Sequence, residues 1–150
     1  MARPLACLVM TGVGSGSENF WGAGGPPQPG RVEYRLMRES TVREYRRGRL
    51  GRLDVCDAQP ELLRVARNLG RQTTTTCPIC EEAELVHVSF AFGPRLPPCG
   101  RAVGPGEIGS LTRQRTELAC YVVEVCVDCS WNHLLRMFTV GGGAKNRVVR

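Results

Sequence analysis

The sequence contains no run of about 18 apolar residues, so no segment can cross a bilayer as a helix. It has a single lysine, Lys145, among 20 basic residues, which leaves its positive charge almost wholly to arginine. No internal repeat of 20 to 50 residues occurs, which excludes solenoid and propeller architectures. Catalytic signatures are missing too. Gly12-Val13-Gly14-Ser15-Gly16 has no strand before it and no helix after it, as a dinucleotide fingerprint would need. Gly141-Gly142-Gly143-Ala144-Lys145 lacks the spacing of a phosphate loop, and no Gly-x-Ser-x-Gly elbow is found. No acid, base and nucleophile converge on a reaction, so the expectation is a protein that is not an enzyme.

The beginning of the chain is equally poor in targeting features. Leu5 to Met10 is a short apolar run preceded by one arginine, too short for a secretory signal. Leu5-Ala6-Cys7 has the look of a lipoprotein cleavage box without the hydrophobic stretch that should precede it. The expected location is the cytoplasm, with no membrane partner.

What is present begins with glycine and proline, 28 residues in 150, so much of the chain must be turn or loop. Apolar residues make up 42%, enough for a core that a metal staple would usefully supplement. Residues 1–30 are rich in Gly, Ser and Pro and are expected to be a disordered extension, because they cannot bury enough surface to offset their ordering entropy. Residues 31–72 carry an Arg-rich helical pattern. Val32, Leu36 and Met37 suggest a first helix closing near Ser40. Thr41 and Glu44 then read as a capping box opening a second, which Gly48 ends. After a turn around Leu53 to Cys56, Pro60 fits the first position of a third helix, with Leu62, Leu63, Ala66 and Leu69 on one face and Gly70 as terminator. From Thr73 the pattern is that of strands: Thr73 to Thr76, residues 85–92, Tyr121 to Val125 and Leu134 to Val140. Residues 93–110, with four prolines and five glycines, are expected to be a loop. The expected fold is α+β, a small N-terminal helical segment followed by a zinc-ribbon-like antiparallel β module over 73–140, with a flexible basic tail at 141–150.

The chemistry lies in two C-x₂-C pairs, Cys77-Pro78-Ile79-Cys80 and Cys126-Val127-Asp128-Cys129. Two intervening residues let both thiolates of a pair face one ion, and two pairs supply the four sulfurs of a closed tetrahedral zinc site. Four thiolates leave no position open for water, so the expected cofactor is one structural Zn²⁺. The 45 residues between the pairs exceed the simplest finger spacing and fit a ribbon with an insertion. Redox dithiols and iron–sulfur ligation are the alternatives for the same cysteines. Cys7, Cys56, Cys99 and Cys120 lack ligand spacing and read as buried or incidental thiols. Trp131, Asn132 and His133 follow the second pair and are expected to pack around the metal. His133, like His87, reads as a hydrogen-bonded structural histidine.

Charge is uneven. Residues 31–71 hold 11 arginines against 6 acids, whereas residues 72–140 hold 5 against 7. Arg43, Arg46, Arg47, Arg49 and Arg52 form the densest cluster and are the candidate contacts to phosphate or to an acidic partner. Two functions follow: a module contacting nucleic acid or the transcription and translation machinery, or a protein–protein adaptor using the loop 93–110.

Several segments together resemble an actinobacterial family of uncharacterised proteins, a domain of unknown function. They are Val55-Cys56-Asp57-Ala58 with Leu62-Leu63-Arg64, Cys77-Pro78-Ile79-Cys80, Tyr121 to Cys126, and Cys129-Ser130-Trp131-Asn132-His133-Leu134. The resemblance covers about residues 31 to 140. It implies a helical part followed by a ribbon-like zinc module and no particular activity. Ser130 stands where the turn of a C-x₂-C pair, a knuckle, often carries glycine. Asp57 is expected to cap the third helix, with Cys56 beneath it.

Overall fold

A computed structural model describes residues 30–142, and the extension before residue 30, the tail after residue 142 and Cys7 lie outside them. The fold is α+β, built on one six-stranded antiparallel sheet. Its strands are β1 (Arg31–Glu33), β2 (Arg71–Thr76), β3 (Glu84–Phe92), β4 (Arg101–Val103), β5 (Leu118–Val125) and β6 (Asn132–Val140). The helices are α1 (Arg35–Arg46), α2 (Arg52–Val55), α3 (Pro60–Leu69) and α4 (Ile108–Leu111). The order across the sheet is β1-β6-β5-β3-β2, and β4 pairs with β3 beyond the end of β2.

The N-terminal helical region differs from expectation in two ways. Val32 belongs to a strand, not a helix: Arg31, Val32 and Glu33 pair with Phe138, Met137 and Arg136 and cover what would otherwise be the open edge of β6. The two short helices expected on either side of Ser40 are one 12-residue helix. Thr41 caps nothing, because its hydroxyl donates to the Met37 carbonyl one turn back (3.0 Å). Gly48 ends the turn in the left-handed conformation expected of it (φ 76°). Pro60 opens α3 as read from the sequence. Residues 93–110 are not wholly loop: β4 forms a ladder with Ser89, Phe90 and Ala91, and α4 begins at Ile108.

Alternation along the strands sorts side chains onto two faces. On one face Val86, Val88 and Phe90 of β3 and Val123 and Val125 of β5 pack against Leu62 and Ala66 of α3. The opposite face is covered in two parts. At the knuckle end Leu85 and Cys126 pack with Val42 of α1, Val55 of α2 and Trp131. At the far end Ala91, Leu118, Cys120 and Val140 pack with Val103 and Leu111. Between these two covers the described residues leave the sheet face partly open. A bulge in β6 helps to shape it: Leu134 pairs with Val123 and Arg136 with Val122, leaving Leu135 as the extra residue. The Leu135 carbonyl accepts the Tyr34 N–H (2.8 Å), which leads the chain from β1 into α1.

Candidate metal centre

Both C-x₂-C pairs sit in the turns of hairpins, the first between β2 and β3 and the second between β5 and β6. The turns are built alike. Cys77 N–H donates to the Ala83 carbonyl (2.7 Å) and Cys126 N–H to the Trp131 carbonyl (2.8 Å), closing each hairpin. Inside each, the residue after the second cysteine donates back to the first cysteine's carbonyl, Glu81 to Cys77 and Ser130 to Cys126. Both residues have positive φ, 58° and 70°, a conformation that suits glycine better than a residue with a Cβ. The adjacency of β3 and β5 in the sheet then places the two turns side by side.

The four sulfurs all lie within 4.8 Å of one another. Cys77 Sγ is 3.6 Å from Cys129 Sγ, and Cys80 Sγ is 3.8 Å from Cys126 Sγ. A disulfide would need about 2.05 Å, whereas the edge of a tetrahedron of thiolates about a zinc at 2.3 Å is roughly 3.8 Å. All four are free cysteines, so the spacing is that of ligands able to share one ion and not of bonded pairs. Backbone N–H groups point at the sulfurs as well, Ile79 at Cys77 and Cys129 at Cys126, each at 3.5 Å.

Without a cation the cluster is electrostatically divided. Burial pushes the Cys77 thiol up to about 11, and burial likewise raises Cys129. Burial opposes ionisation of Cys80 too, but the Ala83 and Glu82 backbone N–H groups and the thiols of Cys126 and Cys77 outweigh it and bring Cys80 down to about 7. A divalent ion reverses this by displacing the thiol protons, which is why such sites bind metal with proton release.

The surroundings of the cluster hold it in place. Trp131 is fully buried beside Cys77 and Cys126, and its Nε1–H donates to Glu124 Oε1 (2.8 Å). Glu124 is the one buried charged residue among those described, and it also receives Arg38 Nε from α1 (2.5 Å). A buried carboxylate with two such donors ties the helix to the second knuckle. His133 stacks on Trp131 with ring centroids 5.8 Å apart, and its Nδ1 lies 2.7 Å from the Leu134 carbonyl, so it stands outside the four-sulfur cluster. Asn132 Nδ2 donates to Asp57 Oδ1 (2.9 Å). Asp57 therefore does not cap α3, whose N-cap is Gln59 without a side-chain cap. It docks the α2–α3 connection onto the knuckle, assisted by Ala58 N–H donating to Ser130 O (3.0 Å). Cys56 arrives by the same route and sits half-buried against Cys129, a fifth thiol beside the cluster, its own proton held more tightly chiefly because of burial. Cys120 is a buried free thiol in β5, as expected, whereas Cys99 is buried but not a free thiol.

Three of the five candidate arginines line one groove. Arg43 and Arg46 of α1 and Arg47 at its C-terminal cap flank a groove of about 390 Å³ whose far side is lined by Pro78 of the first knuckle. Arg47 and Arg49 are both bound by Glu44, at 3.6 and 3.1 Å. Arg52 lies on α2, away from this groove. Glu124 and Arg38 belong to none of the sequence motifs. The available signal was one acid inside the apolar run Tyr121 to Val125, since a charge in a buried strand demands a partner.

A six-stranded antiparallel sheet whose two hairpin turns bring four cysteines to one point defines a small α+β protein able to hold a metal ion. By sequence, residues 27–150 match a family of unknown function (DUF5318), and the chain belongs to that family. It is similar to the uncharacterized protein Rv0049 of Mycobacterium tuberculosis strain H37Rv, at 40% identity over 120 residues, covering 79% of this chain and 88% of that one. The uncharacterized protein Mb0050 of Mycobacterium bovis is similar at the same identity and coverage. No solved structure matches the chain. Among the described residues no helix is long and apolar enough to cross a membrane.

Proposed function

We propose that the protein is a non-catalytic binding module in which one structural Zn²⁺, held by Cys77, Cys80, Cys126 and Cys129, fixes a basic helix for contact with nucleic acid. Zinc is favoured because four thiolates at tetrahedral spacing suit a closed site and leave no vacant coordination position. The observation that carries the nucleic-acid reading is the groove between α1 and the first knuckle. Arg43 and Arg46 face solvent there with no ion pair among the described residues, and Pro78, adjacent to Cys77, forms its opposite wall. Guanidinium groups on a rigid helix suit phosphate oxygens, and their contribution is sequence-independent and salt-dependent. Arg38, bound to Glu124 and through it to Trp131, couples the helix to the metal turns.

The test is fluorescence anisotropy with labelled single- and double-stranded RNA and DNA at several salt concentrations. Three phosphate contacts from Arg43, Arg46 and Arg47 give a slope of log K against log salt of roughly −2 to −3. The triple change to glutamine should flatten that slope. Absence of binding to every probe at about 50 mM salt would remove this reading. The adaptor alternative rests on a different observation: Leu53 of α2 is 88% exposed and Leu36 of α1 is 53% exposed, apolar groups that a protein partner would cover. Affinity capture from native cells that survives nuclease treatment and fails for Leu53→Ser supports the adaptor.

A further inference from the structure

The open part of the sheet face, between the cover made by α1 and the cover made by α4, is a cavity of about 320 Å³. Its lining includes Arg31, Arg71 and Arg136, together with His87 and Ser89. The register explains why these side chains converge. Arg71 pairs with His87 and Glu33 with Arg136, while Arg136, Val122, Ser89 and Val103 follow one another across β6, β5, β3 and β4. Residues in such a row share a face, so arginines from opposite edges of the sheet lean over the same depression.

Their charges are only partly answered. Arg31 is held by Glu33, its Nη2 2.6 Å from Oε1. Glu33 lies opposite Arg136 in the ladder, yet Arg136 and Arg71 make no ion pair among the described residues. Glu124, the one buried acid among the described residues, is taken by Arg38 and Trp131. Among the described residues no carboxylate lines the cavity itself. His87 Nδ1 is buried without a hydrogen-bond partner among the described residues, although buried polar atoms in folded proteins are nearly always paired. The remaining wall is apolar, formed by Val103, Val122, Ile108 and Phe138. A partly open pocket that sets a few convergent cationic and polar groups beside an apolar wall suits a small organic anion. Two unpaired guanidiniums offer fork-shaped donors matched to an oxyanion.

We infer that this cavity binds a small organic oxyanion, with a phosphate or carboxylate group between Arg71 and Arg136 and an apolar body against Val122, Ile108 and Phe138. The site is separate from the cysteine cluster and from the α1 groove, so it stands or falls independently of the nucleic-acid reading. The cavity limits the ligand to about the size of a substituted aromatic ring or a short acyl chain carrying its anion.

Calorimetric titration of the full, metal-loaded chain tests this with four probes: phenyl phosphate, phenylacetate, inorganic phosphate and benzyl alcohol. One of the two organic anions should bind saturably with a Kd on the order of 1 mM or tighter. It should bind better than inorganic phosphate and benzyl alcohol, because each of these lacks half of the recognition. Which organic anion binds more tightly distinguishes phosphate from carboxylate. The double variant R71Q/R136Q should weaken the better probe at least about tenfold. The variant R64Q/R67Q, which removes the same charge from exposed positions of α3 outside the cavity, should leave it unchanged. As a readout independent of those variants, titration of the unaltered chain should shift the imidazole NMR signals of His87 and leave those of His133 in place, H133Q supplying the assignment. Absence of saturable binding up to about 10 mM overturns the site, as does equal weakening by the two double variants. Organic anions binding no better than benzyl alcohol, or an unmoved His87 at saturation, would overturn it as well.

Discussion

Five thiols lie at the knuckle end of the sheet, and their roles differ by position. Cys77, Cys80, Cys126 and Cys129 share mutual sulfur distances that one ion can span, whereas Cys56 touches the group only at Cys129. Cys77 and Cys126 are buried at the turn bases, and Cys80 has backbone N–H donors that favour its thiolate. Cys56 is carried by the α2–α3 connection, which reaches the knuckle through Asp57 and Ala58. Replacing Cys80 by serine therefore removes a ligand, and replacing Cys56 by serine removes only a neighbour. The expected outcome is that C56S keeps one metal ion per chain by elemental analysis and loses about 1 kcal/mol or less in denaturant unfolding. C80S should lose at least tenfold in metal affinity by competition with a chromogenic chelator, since it leaves three sulfurs for a four-coordinate ion. Retention of full affinity by C80S together with its loss by C56S would reassign the ligand set.

Among the elements, the turn from α3 into β2 shows how a residue can be read correctly for an incomplete reason. Gly70 ends the helix where a helix-stopping glycine is expected, but its φ of −70° is open to any residue. Its role is close approach: a Cβ there would collide with Val86 Cγ1 and the Ala66 carbonyl. Both belong to the core between α3 and the sheet, so Gly70→Ala must push the helix end away from β3. It should destabilise the fold by about 1 to 3 kcal/mol, read as a lower urea midpoint at unchanged slope. Gly48→Ala is the informative comparison, because nothing lies within 4 Å of that position and only its φ of 76° is strained by a Cβ. The same distinction governs what the chain discloses by itself. Cys77-x-x-Cys80 and Cys126-x-x-Cys129, Pro60 at the start of α3 and the alternation of β3 are local patterns, and the structure follows them. The strand at Arg31–Glu33, the unbroken α1 and the ladder of β4 depend on β6 and β3, which lie about 105 and about 12 residues away, and no local pattern encodes that. Thr41 illustrates the failure well, since its capping signature was outvoted by a helix already anchored through Arg38 to Glu124.

At the scale of the molecule, the cysteine cluster is the point at which otherwise separate parts meet. The β2–β3 turn, the β5–β6 turn, the α2–α3 connection and, through Arg38, Glu124 and Trp131, helix α1 all end there. The far end of the sheet has its own cluster of Leu111, Leu118, Cys120 and Val140 and needs none of these contacts. Metal removal should therefore act unevenly. Without the ion, four partly buried thiols must take up protons in place of a shared cation, and the knuckle end loses the bond that holds its two turns together. The far end keeps its apolar burial, which is sufficient for residual structure though not for the complete fold. Trp131 reports the event directly because it is wholly buried against Cys77 and Cys126. In a W21F background, where Trp131 is the sole tryptophan, a strong chelator should shift its emission to longer wavelength and lower the melting temperature by at least about 10 °C. Hydrogen exchange measured after chelation should show faster exchange in residues 77–83 and 126–133 than in the paired segments of β3 and β5 around Ala91 and Cys120. Adding back stoichiometric Zn²⁺ should restore both signals. An emission spectrum and melting curve that ignore the chelator would mean that the four sulfurs are held together by the sheet alone, with the ion contributing nothing to the fold.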